Sequence, residues 1–201
     1  NNATKTISAH QGPLIGIAKD VTKVERVSAG TYDVTMNILI KNYGNVTLHN
    51  VQVTDNLTNT FPLPTTFTIQ SITSPDTNLS LNNNPDGTPV YDGSTNINLL
   101  GPGNLLEVGQ SKTFTLVVRA IPTSAGPFIN SATAYGTSPA DEEVNDLSQA
   151  GSDPDPVPHD NDPTNNNEGT DVNFGARIFD PPFGIKTLDA NEQPFLKWTM
   201  V

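Results

Sequence analysis

The chain reads as an all-β protein, an antiparallel immunoglobulin-like β-sandwich with a long acidic loop before its last strand. Three observations point there. Apolar residues recur with a period of two, turn-forming clusters punctuate that alternation, and no window of a dozen residues combines helical spacing with helix-forming residues. The 17 Pro and 15 Gly suit short strands joined by turns. Cysteine is absent and Trp198 is the one tryptophan, so the disulfide and tryptophan hallmarks of antibody domains are missing.

The strands follow in order. The segment 14-LIGIAKDVTKVERV-27 is the first candidate. In 31-TYDVTMNILIKN-42, Tyr32, Val34, Met36, Ile38 and Ile40 share one face, and Asp33, Thr35, Asn37 and Lys41 the other, which is a half-buried strand. The same alternation recurs in 48-LHNVQVTD-55, 66-TFTIQSIT-73 and 112-KTFTLVVRA-120, where Phe114, Leu116, Val118 and Ala120 align. Further candidates are 95-TNINLL-100, 127-PFINSATAYG-136 and 170-TDVNF-174. Between them lie turn signals at Ser28-Ala29-Gly30, Tyr43-Gly44-Asn45, Pro85-Asp86-Gly87, Asp92-Gly93 and Gly101-Pro102-Gly103.

A weak internal repeat bears on the ends. The segment 13-PLIGIAKDVTKV-24 shares its texture with 182-PFGIKTLDANEQ-193, and 195-FLKWTMV-201 then alternates as the strand from Tyr32 does. Three regions are therefore expected: an N-terminal strand or junction segment at 1–12, the sandwich at 13–175, and C-terminal strands at 176–201. The last would begin a second repeat or be donated to a neighbouring subunit. Such apolar strands cannot bury their faces alone.

Between Arg119 and Arg177 stand ten carboxylates and no lysine or arginine. Mutual repulsion opposes ordering so many like charges unless they are solvated or folded around cations. Ca²⁺ takes 6–8 oxygen ligands from carboxylates, amide carbonyls and water, and the segment supplies the protein types. Its candidate ligands are Asp141, Glu142, Asp146, Asp153, Asp155, Asp160, Asp162, Asn165, Asn167 and Glu168, with Asp20, Asp33 or Asp55 reaching in from strand ends. Charge supports roughly two or three ions. Pro154, Pro156, Pro158 and Pro163 stiffen the backbone between the acids. The spacing is not that of an EF-hand.

A formal net charge of −11, with no basic stripe, excludes ordinary nucleic-acid binding and disfavours anionic membranes. No apolar run approaches the roughly 18–20 residues of a membrane span, and no basic-then-apolar leader opens the chain, so a soluble, already processed chain is expected. Catalysis is disfavoured. His10, His49 and His159 are far apart, no G-x-S-x-G or H-E-x-x-H occurs, and a Pro-rich acidic loop lacks the apolar wall that a glycosidase acid needs.

The runs 16-GIAKDVTKV-24, 31-TYDVTMNILIKNYGNVTLHNVQVTD-55, 111-SKTFTLVVRA-120, 128-FINSATAYG-136 and 147-LSQAGSDPDP-156 followed by 160-DNDPTNNNEGT-170 resemble a conserved β-sandwich repeat of bacterial secreted surface proteins, catalogued as domain of unknown function eleven. The resemblance covers residues 13–175. Val157-Pro158-His159 stands where the family usually carries a Gly-rich Asp repeat. The resemblance implies an extracellular, tandem, structural role in adhesins and cell-surface fibres. The expected function is thus a calcium-stabilised stalk or fibre module on the cell surface, in keeping with a biofilm matrix, joined head-to-tail to copies of itself or adjacent repeats. The alternatives are a calcium-dependent module binding surface carbohydrate or protein through loops such as 76-DTNLSLNNNPDG-87, and an accessory domain of a secreted polysaccharide-acting enzyme.

Overall fold

Alternation of apolar and polar residues builds the strands that carry the core. The computed structural model describes residues 11–175, so the junction segment expected at 1–12 falls almost entirely outside them, and 176–201 with Trp198 entirely. Ten strands follow in order: β1 (Ile15–Ser28), β2 (Thr31–Asn42), β3 (His49–Asp55), β4 (Thr66–Thr73), β5 (Ser111–Ile121), β6 (Phe128–Asn130), β7 (Ala132–Thr137), β8 (Glu143–Leu147), β9 (Gln149–Ala150) and β10 (Thr170–Val172). Helix among the described residues is one α-turn, α1 (Leu57–Thr60), and one 3-10 turn, Pro163–Asn165.

One sheet runs β4-β5-β2-β1-β9, a second β3-β7-β8, and β10 pairs with β6. All pairings are antiparallel except the short parallel contact of β1 with β9, Ala18 opposite Gln149 and Lys19 opposite Ala150. The β1–β2 hairpin turns at Gly30, whose φ of +68° a side chain would strain. The inward stripes of β2 and β5, Val34, Met36, Ile38 and Ile40 against Phe114, Leu116 and Val118, are fully buried. They meet Leu48, Val51, Val53 and Ala134 from the second layer in one continuous core. Phe61, Phe128 and Phe174 stack edge-on at one end of it.

Three sequence expectations are corrected. The segment 95–100 is not a strand. Asp92 Oδ1 accepts the amides of Ser94, Thr95 and Asn96, winding the chain into a side-chain-capped turn, and only isolated bridges at Asn98 and Leu100 survive. The segment 127–136 is two strands, because the chain changes partner at Ser131: β6 pairs with β10, and β7 with β3 and β8. Part of the acidic stretch is not loop at all. Glu143 and Asp146 lie on β8, so the acidic loop proper spans 151–169.

Candidate functional site

The acidic loop is seated where β1 begins. Gly16 makes that possible, since a Cβ there would stand 2.7 Å from Tyr43 Cε2, 2.8 Å from Pro163 Cβ and 3.0 Å from Pro154 Cβ. Two loop prolines and the Tyr43 ring therefore close on bare backbone. Lys41 Nζ sits 4.2 Å above the Tyr43 ring. The Tyr43 hydroxyl is pushed up to about 12, first by burial and then by the charges of Asp153, Asp155 and Asp146.

Within the loop, a local rule repeats. Asp153 Oδ1 accepts the amide of Asp155 at 3.0 Å, Asp160 Oδ1 that of Asp162 at 3.0 Å, and Asp162 Oδ1 that of Thr164 at 3.2 Å. Each is a carboxylate capping the amide two residues on, the turn chemistry short acidic side chains favour. Asp155 Oδ2 reaches further, to the amide of Asn161 at 2.9 Å. His159 and Asn161 adopt positive φ, 59° and 63°, and His159 Nδ1 lies 2.6 Å from the Asp155 carbonyl oxygen.

The expected ligands divide into three groups. Asp146 and Asp155 are buried, each 3% exposed, and each keeps one carboxylate oxygen, Oδ1, without a hydrogen-bond partner. Asp146 Oδ2 accepts the amide of Ile17 at 2.9 Å, and burial, with a smaller contribution from Asp162, pushes the Asp146 carboxyl up to about 7. Asp153, Asp160 and Asp162 are exposed on the same loop, with Asn165 Nδ2 donating to Asp160 Oδ2 at 3.1 Å, Asn167 Nδ2 to the Thr164 carbonyl at 2.8 Å, and Gln149 Nε2 to Glu168 Oε2 at 3.0 Å. Asp141 and Glu142 lie apart, exposed in the β7–β8 turn. Among the described residues no three His, Asp or Glu side chains converge as a preformed metal cage.

Two of the strand-end acids, Asp33 and Asp55, have other partners. Asp33 makes a two-pronged pair with Arg119, 2.8 Å to Nε and 2.8 Å to Nη2, which holds its carboxyl below the usual range. Asp55 turns inward and pairs with the buried Lys19. Neither joins the acidic loop.

That last pair belongs to a polar cluster that reading by charge overlooked. Lys19, Asp55 and Asn130 are 0%, 1% and 0% exposed. Each ends an inward apolar stripe: Ile15-Ile17-Lys19 on β1, Val51-Val53-Asp55 on β3, Phe128-Asn130 on β6. Lys19 Nζ donates to Asp55 Oδ2, and Asn130 Nδ2 donates to Asp55 Oδ1 at 3.0 Å and to Thr60 Oγ1 at 2.6 Å. The signal was present in the alternation, where a lysine, an aspartate and an asparagine each fall on a core position.

No protein-family model matches the chain, and no curated relative is found by sequence. Among solved structures, BcpA, the major pilin subunit of Bacillus cereus, aligns over 69% of this chain and 39% of its own at 16% identity and a TM-score of 0.32. The N-terminal domain of PorA aligns over 68% of this chain and 96% of its own at 11% identity and a TM-score of 0.32. A family 123 glycoside hydrolase from Clostridium perfringens aligns over 68% of this chain and 26% of its own at 10% identity and a TM-score of 0.29. The chain thus spans well under half of the pilin and of the hydrolase. Similarity at this level carries no functional assignment.

Proposed function

We propose that this chain is a non-catalytic structural module of an extracellular fibre or adhesin stalk, stabilised by Ca²⁺ in its acidic loop and joined head-to-tail to copies of itself or to adjacent repeats. The observation that carries the cation is the pair of orphaned oxygens, Asp146 Oδ1 and Asp155 Oδ1, buried beneath a segment with no lysine or arginine of its own. A buried carboxylate oxygen without a partner is costly, and a cation satisfies it. Ca²⁺ suits the hard oxygen donors, its loose geometry accepts the exposed Asp153 and Asp162 as further ligands, and water completes the shell. Cation binding would also cancel the repulsion that the loop's Asx-type turns cannot relieve.

The fibre reading is supported by the family resemblance and by the composition of 176–201, whose Ile178, Phe179, Phe183, Ile185, Phe195, Leu196 and Trp198 need a packing partner. A neighbouring copy that receives this segment makes a heterologous contact, which repeats into filaments unless the rotation closes.

Thermal melts and negative-stain imaging of the full chain, with calcium and with chelator, test both halves. Saturation at a hundredfold excess over Kd stabilises by about 2.7 kcal/mol, so chelator should lower the melting temperature by roughly 5–10 °C and expose 151–169 to protease. An unchanged melt refutes the cation. Fibres formed by a 13–175 truncation refute the role of the terminal segment.

A further inference from the structure

Lysine, aspartate and asparagine meet in the dry core with nothing in the fibre or calcium reading to employ them. Two nitrogens bound to the two oxygens of one carboxylate stand within a few ångström of each other. Asp55 thus brings a nucleophile, Lys19 Nζ, beside a carboxamide, Asn130, whose leaving nitrogen is hydrogen-bonded to the same acid. Burial also pushes the Lys19 ammonium toward its neutral form, against the pull of Asp55, and a neutral amine is the form that attacks carbonyl carbon. The surrounding core, Ile15, Ile17 and Val53 at 0% exposure, keeps water from competing for the carbonyl.

We propose that Lys19 and Asn130 condense, without cofactor, into a side-chain amide that staples β1 to β6, with Asp55 as the catalytic acid-base. The Nζ lone pair forms the new bond to Asn130 Cγ while the carbonyl electron pair moves onto Oδ1. Asp55 takes a proton from Nζ and delivers one to Nδ2. The Cγ–Nδ2 bond then breaks as the carbonyl reforms, and ammonia leaves. One amine and one carboxamide become one secondary amide and one ammonia, nothing is oxidised or reduced, and Asp55 ends as it began. Asn130 Oδ1, which has no partner in the unreacted arrangement, is where the intermediate's charge gathers. The positioning is the larger part of the catalysis, since holding amine and amide together in one site replaces a bimolecular encounter.

The reaction stands apart from the fibre and calcium readings, and chelator would leave its product intact. Intact-mass spectrometry of the full recombinant chain tests it. The expected result is a mass below that of the sequence by one ammonia, with digestion yielding a branched peptide that joins Lys19 to Asn130. The sequence mass, or loss of one water with Lys19 joined to Asp55, overturns the proposal. Asp55→Asn, checked for folding by circular dichroism, is expected to keep the full mass; a folded variant that still loses ammonia overturns the role of Asp55. Should that variant not fold, the wild-type mass and branched peptide still decide the crosslink.

Discussion

Asp146→Asn should make the calcium-free protein more stable at neutral and alkaline pH, although it removes a native side chain. Asp146 is buried on β8 with its carboxyl pushed up to about 7. The folded state therefore holds that proton more tightly than the unfolded chain does. By linkage, stability is greatest below the ordinary aspartate range, falls as pH rises, and levels off only above about 7. At ~1.4 kcal/mol per pH unit, ionising this group in the fold costs about 4 kcal/mol by pH 8. Asparagine avoids ionisation and keeps an oxygen for the Ile17 amide, which Asp146 Oδ2 now accepts at 2.9 Å. Its amide nitrogen would replace the orphaned Oδ1 as an unpartnered buried group, at a cost of about 1–3 kcal/mol. The balance favours the variant by about 1–3 kcal/mol in chelator at pH 8, a rise of roughly 2–10 °C in melting temperature. At pH 4 the sign reverses, because the protonated wild type pays no ionisation cost. Urea unfolding from pH 4 to 8 in chelator measures the crossing directly. A variant less stable than wild type at pH 8 would refute the reasoning, and calcium should restore the wild type alone.

Other changes have equally definite outcomes. Gly16→Ala drives a methyl into Tyr43, Pro154 and Pro163, so the loop should lift, read as faster proteolysis within 151–169 while the β2–β5 core keeps its circular dichroism. The Asp33–Arg119 pair holds the Asp33 carboxyl low; its contribution is present above the unfolded aspartate range and is lost as pH falls through the depressed folded value, so Asp33→Asn should flatten the acid limb of the stability curve. Ile38→Ala, in the fully buried β2 stripe, should cost about 2–5 kcal/mol by denaturant unfolding. Replacing Asp153, Asp155, Asp160 and Asp162 together by Asn should weaken calcim binding in a calorimetric titration while the calcium-free fold survives; unchanged affinity removes the loop as the site.

The sandwich was legible because its sheets alternate cleanly. The expected 31–42 and 112–120 correspond to Thr31–Asn42 and Ser111–Ile121, since each has one face in the core and one in water. Legibility failed where side chains redirect the backbone. Asp92 turned an expected strand into a capped loop, and the switch of partner at Ser131 is a tertiary choice that local pattern does not record. For the candidate site, the excess of acid was visible, but not which acids would be buried. That depends on β8, whose short acidic run lacks a strand's usual apolar signal yet turns Asp146 inward. Lys19, Asp55 and Asn130 were visible as residues and invisible as a cluster, because they stand 36 and 75 residues from one another along the chain and only the packed layers bring them together.

The positions of Lys19 and Asn130 also decide how the module would respond to being pulled. Lys19 lies early in β1, and Asn130 lies at the end of β6, after the whole β2–β5 succession. With an amide between them, tension entering upstream of Lys19 crosses the side chains to Asn130 and never reaches the backbone in between. About 110 residues, roughly 370 Å of chain at ~3.4 Å each, would be withheld from extension. The module would behave as a nearly inextensible link over the sheets that make up most of its core, yielding only in the acidic loop and the last short strands, where the proposed calcium, rather than covalent chemistry, would resist.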